Sequence, residues 1–180
     1  NKEPGVATSS KNDTFVATRV WIDNDFWMGV PFYIRTGKRM NEKFTKIVIE
    51  FKNPLKDLFR NDNQNAAPNL LVINVSPYEG VSMQLNSKNP QTGNLEPIVV
   101  DFSSSEKDVP EAYELLIFDA LRGDSSFFAH WKEVELSWQW VQPILEAFEE
   151  DILPLHPYPA GSMGPDPSNQ LLKEDGFKWW

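Results

Sequence analysis

Residues 70–88 read LLVINVSPYEGVSMQLNSK, and their interpretation decides the fold. Two strand-forming runs, LLVINVS and GVSMQLNSK, flank PYEG, whose Pro and Gly are turn formers. The pattern predicts an antiparallel hairpin. Further strands surround it. Upstream, FTKIVIEF (44–51) places Ile47 and Ile49 on one face and Val48 on the other. VPFYIRT (30–36) is a short strand entered by a proline. DTFVATRVWID (13–23) alternates, with Phe15, Ala17, Arg19 and Trp21 on one side and Val16, Thr18, Val20 and Ile22 on the other. The β-branched side is the expected core face. Between these strands, DNDFWMGV (23–30) reads as a polar turn with an aromatic knot. Residues 52–69, KNPLKDLFRNDNQNAAPN, read as a long loop, and EPIVVDFS (96–103) as one more strand.

The second half changes period. In PEAYELLIFDALRG (110–123), Tyr113, Leu116, Ile117, Ala120 and Leu121 recur at helical spacing, and Gly123 is placed to end the helix. KEVELSWQWVQPILEAFEED (132–151) carries Val134, Trp138, Val141, Leu145 and Phe148 on one stripe. Its Pro143 is expected to kink or split the helix. PLHPYPAGSMGPDP (154–167) is too rich in Pro and Gly for regular structure and predicts an extended strap. Asp166 and Pro167 read as N-cap and first residue of a last helix, closed by Gly176. Strands first and helices after predict an α+β fold. The expectation is a large, mostly antiparallel sheet with helices packed on one face, in a single domain over residues 1–180.

Composition narrows the chemistry. The chain has 180 residues, of which 41% are hydrophobic and 13% aromatic, which suits a folded domain with a broad apolar face. A formal net charge of -9 argues against nucleic acid as a partner. There is no Cys, so disulfides, thiolate metal sites and cysteine nucleophiles are excluded, in keeping with a cytoplasmic location. No apolar run reaches the roughly 18–20 residues of a membrane helix, and the N-terminal residues lack the apolar region of a signal peptide. No Gly-rich phosphate loop or nucleophile elbow occurs. His130 and His156 have no neighbours at metal-ligand spacing, and the run Glu149, Glu150, Asp151 reads as a solvated helix end. No metal site is expected.

One segment stands apart. GVPFYIRTGKRMNEK (29–43) gathers Arg35, Lys38, Arg39 and Lys43 against the single acid Glu42, around Gly37. Glycine there permits a sharp turn or a close backbone approach. The cations could focus a small dianion, lysine as a mobile point charge and arginine as a planar fork. They could equally be ordinary strand-end charges that keep the segment soluble.

The motifs around this segment settle the choice. EPGV (3–6), FVATRVWIDNDFWMGVPFYIRTGK (15–38), LVINVSPYEGVSMQL (71–85), PEAYELLIFDALRGDSSFF (110–128), SWQWVQPIL (137–145) and YPAGSMGP (158–165) stand in this order along nearly the whole chain. With them the chain resembles the C-terminal portion of the glucose-6-phosphate dehydrogenase family, bacterial type. The resemblance implies a two-domain parent that oxidises glucose 6-phosphate to 6-phosphogluconolactone with NADP, the first step of the pentose phosphate pathway. NADP and the general-base His belong to an N-terminal dinucleotide-binding domain that this chain lacks. Neither His130 nor His156 matches the catalytic position, so the chain alone is expected to be inactive. The resemblance further implies a homodimer formed through the sheet. The alternative is a stand-alone dimerisation or binding module without catalysis. Lys38, in the family's R-x-G-K motif, and Lys43, five positions on, correspond to the residues that hold the sugar phosphate. Arg35 and Arg39 keep a structural or peripheral reading. Some members bind a second, structural NADP, but the corresponding positions here are Phe44, Asn74, Ser82 and Gln84, none cationic, so no cofactor is expected in this chain. Ser76 stands where some members place a substrate-contacting Gln. With half the pocket in another domain, the Lys38–Lys43 loop is expected to be mobile.

Overall fold

In the computed structural model, residues 4–52, 67–103 and 112–180 are described. Most of the 52–69 loop therefore lies outside the described residues, as do Pro110 and Glu111 of the first helical motif. Six strands precede three helices: β1 (Phe15–Val20), β2 (Phe32–Gly37), β3 (Thr45–Glu50), β4 (Leu70–Ser76), β5 (Gly80–Lys88), β6 (Leu95–Ser103), α1 (Ala112–Arg122), α2 (Trp131–Glu149) and α3 (Asp166–Lys173). The fold is α+β, and every strand pair is antiparallel. The described strands form two sheets, β1-β2 and β3-β4-β5-β6. The chain divides into two compact units, residues 1–14 with 106–157, and residues 15–105 with 158–180.

In the second unit, the 70–88 hairpin forms as its sequence predicts, with Leu70 opposite Gln84 and Asn74 opposite Gly80. Register assigns the faces. Ile47, Ile73, Val81 and Phe102 lie in one row across the four strands; Ile49, Leu71, Met83 and Val100 lie in the next. Leu85 opposite Ile98 extends the same face, which is apolar across these three rows and turns polar at Ser87 opposite Glu96. The other face mixes Val48, Val72, Ser82 and Asp101 with Glu50, Leu70, Gln84 and Val99. The apolar face is open: Ile47 and Phe102 are 53% and 68% exposed, and Ile49, Val81, Leu85, Ile98 and Val100 are exposed as well.

The smaller sheet is finished differently. Phe15, Ala17 and Arg19 of β1 pair with Gly37, Arg35 and Tyr33 of β2, so these six share a face. The C-terminal segment covers it, and α3 packs on β1. Phe15 meets the Tyr158 ring at 5.4 Å, Tyr33 meets Phe177 at 5.9 Å, and the Arg35 guanidinium lies 4.5 Å over Trp179. The expected core face was the β-branched side; all six residues of β1 are half-buried, and the face that the C-terminal segment covers is the other one. Rings and arginines win because Tyr158, Phe177 and Trp179 offer them stacking and cation–π partners. The turn between β1 and β2 is capped by Asn24, whose side-chain oxygen accepts from the backbone N–H groups of Phe26 and Trp27.

Helix α3 begins one residue early. Its N-cap is Pro165, in extended conformation, so Asp166 and Pro167 occupy its first turn instead of the cap and first position. The Pro165 carbonyl accepts from the N–H and hydroxyl of Ser168, which replaces a side-chain cap. Its end follows the sequence: Phe177 N–H donates to Leu172 and Gly176 N–H to Lys173, with Gly176 at φ +80°. Ser168 and Leu172 are buried.

In the first unit, α1 ends at Gly123 as expected, with φ +71°. Helix α2 runs unsplit through Pro143. His130 is its N-cap; its Nδ1 accepts from the Lys132 N–H at 3.2 Å, a structural role. Asp151 of the acidic run pairs with Lys11 at 2.5 Å.

Candidate functional site

The basic segment leaves β2 at Gly37 and crosses to β3 at Thr45. Gly37 is required by contact. A Cβ there would lie 2.7 Å from the Phe15 ring and 3.0 Å from the Met40 sulfur. Of the two roles the sequence allowed it, close approach is the one the structure uses. The next turn is tight: Arg39 takes φ +52°, a left-handed conformation that costs a non-glycine residue roughly 1–2 kcal/mol.

The strap offsets that cost. The Tyr158 hydroxyl donates to the Lys38 carbonyl at 2.7 Å. The Gly161 N–H donates to the Arg39 carbonyl at 2.8 Å, and the Asn41 N–H donates to the Ser162 carbonyl at 3.1 Å. At about 0.5–1.5 kcal/mol each, three such bonds outweigh one strained residue. The strap itself is fixed from below, because Gly164, at φ +108°, lies so near Phe15 that a Cβ would fall 2.3 Å from its ring. Phe15 thus touches Gly37, Gly164 and Tyr158 together. The expected mobility of the Lys38–Lys43 loop does not extend to this stretch of backbone, which is hydrogen-bonded on both sides of the turn.

The four cations have different surroundings. Arg35 is half-buried against Trp179, and burial holds its guanidinium below the usual arginine value. It serves the packing, in line with the structural reading. Arg39 is exposed at the turn. Lys38 and Lys43 are exposed at the two ends of the loop, and among the described residues neither ammonium group enters an ion pair. With the turn at Lys38, Arg39 and Asn41 held by the strap, the backbone needs little further ordering to present Lys38 to an anion. Sequence reasoning missed Tyr158, Gly161 and Ser162 as supports, since their partners are about 120 residues away.

Beside this loop a second polar cluster closes the C-terminal tail. Asp175 accepts from the Arg19 guanidinium at 2.5 Å and from the Tyr33 hydroxyl. The Tyr33 bond, then the Arg19 bond, hold its carboxyl below the usual carboxylate value. Trp179 Nε1 donates to the Ser168 carbonyl at 3.1 Å, and Trp180 Nε1 to Glu50 at 3.0 Å.

At the positions where a second nucleotide was considered, the side chains are Phe44, Asn74, Ser82 and Gln84, and the Gln84 amide donates to the Pro68 carbonyl at 2.8 Å. They offer no charge to a nucleotide phosphate, so they do not fit that ligand. Among the described residues there is no group of three or more potential metal ligands, and no helix is long and apolar enough to cross a membrane.

An α+β unit with a strap-braced basic loop defines the class as a domain that presents cations on a sheet's edge. The family model described as "Glucose-6-phosphate dehydrogenase, C-terminal domain" matches residues 1–180, and the chain belongs to that family. It is 48% identical to the glucose-6-phosphate 1-dehydrogenase of Bacillus subtilis, over 99% of this chain and 37% of that protein. It is 40% identical to that of Gluconobacter oxydans, over 94% of this chain and 35% of the relative. The crystal structure of the Mycobacterium avium enzyme superposes with a TM-score of 0.82 at 31% identity, covering 98% of this chain and 37% of that one. A glucose-6-phosphate dehydrogenase in complex with its substrate glucose-6-phosphate gives 0.80 at 33% identity, covering 97% and 37%. The chain therefore spans little more than a third of the length of these relatives.

Proposed function

We propose that this chain is the substrate-binding and dimerisation domain of a glucose-6-phosphate dehydrogenase, a single C-terminal domain over residues 1–180, and that the whole enzyme oxidises glucose 6-phosphate to 6-phosphogluconolactone with NADP in the cytoplasm. The observation that carries the reading is the loop: Lys38 and Lys43, at the family's phosphate-binding positions, make no ion pair among the described residues, and the strap fixes the backbone at Lys38, Arg39 and Asn41. The two ammonium groups hold the phosphate dianion, and that binding energy positions the distant sugar C1. NADP, bound by the N-terminal domain outside this chain, would accept the hydride. General base and cofactor both lie beyond these residues, so the chain alone is inactive. The open apolar face of β3–β6 supports the homodimer, since a stable interface needs about 800 Å² per partner with an apolar centre. The same face keeps the second reading, a dimerisation module without catalysis, in play.

The test is kinetic. In the intact dehydrogenase, Lys38→Ala raises KM for glucose 6-phosphate by about 10- to 100-fold and leaves KM for the cofactor within about twofold, as for loss of a bond to a charged group. An unchanged KM for the sugar phosphate removes Lys38 from the site.

A further inference from the structure

We infer that Tyr158 is a positioning residue of the sugar-phosphate site, acting on Lys38 through its backbone. The inference rests on the assignment of Lys38 to the phosphate. The Tyr158 hydroxyl donates to the Lys38 carbonyl at 2.7 Å across a separation of 120 residues. That carbonyl belongs to the peptide plane leading into Arg39, the left-handed residue of the turn. Rotation of this plane is the easiest escape from a positive φ at a non-glycine residue, and it would loosen the turn from which the Lys38 side chain leaves. The hydroxyl holds this plane, and the Gly161 N–H, on the Arg39 carbonyl, holds the next one, so the left-handed residue is fixed on both sides.

The ring and the hydroxyl of Tyr158 do separate jobs. The ring stacks on Phe15, which lies against Gly37 and Gly164 and ties strap to hairpin. The hydroxyl reaches past this contact to the loop. Phenylalanine at 158 therefore keeps the ring on Phe15 and removes the hydroxyl that donates to Lys38. Binding energy depends on where an ammonium group is held, so loosening its backbone weakens the grip on the phosphate without touching the cofactor.

The experiment is a double-mutant cycle in the intact dehydrogenase with Tyr158→Phe, Lys38→Ala and the pair. Tyr158→Phe is expected to raise KM for glucose 6-phosphate about three- to tenfold, as for loss of one neutral hydrogen bond, with cofactor KM held and the thermal midpoint lowered by only a few degrees. In the Lys38→Ala background the same change should add nothing, because the residue acts only through Lys38. A raised KM in Lys38→Ala with no change in Tyr158→Phe overturns this inference alone. An equal, additive effect in both backgrounds overturns it too, since Tyr158 then acts elsewhere. An unchanged KM in both single variants removes Lys38 from the phosphate site, and the positioning role falls with it.

Discussion

The β1–β2 hairpin and the β3–β6 sheet belong to the same unit and are both made of short alternating strands, yet within that unit one is covered by the C-terminal segment and the other presents an apolar face. The hairpin presents Phe15, Arg19, Tyr33 and Arg35 on one face, and the last 23 residues supply a partner for each of them. The larger sheet presents rows of Ile, Leu, Val and Met, and most of that face stays exposed. Mixed polar and aromatic faces can be satisfied by a strap, one directional contact at a time. A uniform apolar face gains only by area and needs another broad surface. In the proposed function, position and partner are divided between the two regions: the closed one aims the cations, and the apolar face meets the second subunit.

Val100→Asp puts a charge in the middle row of the apolar face, and Val99→Asp puts the same charge on the opposite face. In the intact protein, burying an unpaired carboxylate costs about 3–5 kcal/mol, so Val100→Asp should raise the dimer dissociation constant at least ~100-fold in sedimentation velocity. Val99→Asp should change it little. Equal effects from the two would show that the apolar face is not what associates.

The closed region is tested by its tightest contact. Gly164→Ala forces a Cβ against the Phe15 ring at a positive φ, and should cost about 2–4 kcal/mol in urea unfolding. Pairing it with Phe15→Leu should cost less than the sum of the two, because part of the penalty is a clash between those side chains. Strict additivity would separate the strap from the hairpin.

The smallest effect concerns the tail. Asp175 has a folded-state pKa depressed by Tyr33 and Arg19, so its contribution is complete above the ordinary carboxylate value of 3.8 and is lost as pH falls through the lower folded value. Below pH 3.8 the tail should loosen, changing Trp179 fluorescence, and Asp175→Asn should remove that step. A transition that survives Asp175→Asn belongs to other carboxylates.

Local pattern and long-range contact were not equally legible in the sequence. The 70–88 hairpin was readable because two period-two runs bracket a turn, and both faces of β3 were assigned correctly from alternation alone. Gly123 and Gly176 were readable as helix ends because a left-handed C-terminal residue favours glycine. The core face of β1 was not, since alternation marks two faces without saying which one a strap 140 residues away will cover. The start of α3 shifted because an extended Pro165 could take the cap position that Asp166 was expected to hold. At the site, Lys38 and Lys43 were named from family motifs, whereas their supports on the strap carried no signal beyond a density of Pro and Gly.

The central claim is that Lys38 recognises the phosphate and not the sugar. The most direct measurement compares kcat/KM for glucose 6-phosphate with that for unphosphorylated glucose, in the intact enzyme and in Lys38→Ala. The account predicts that the preference for the phosphorylated sugar falls by about 10- to 100-fold in Lys38→Ala, with activity on glucose nearly unchanged. A preference that survives the substitution intact would contradict it.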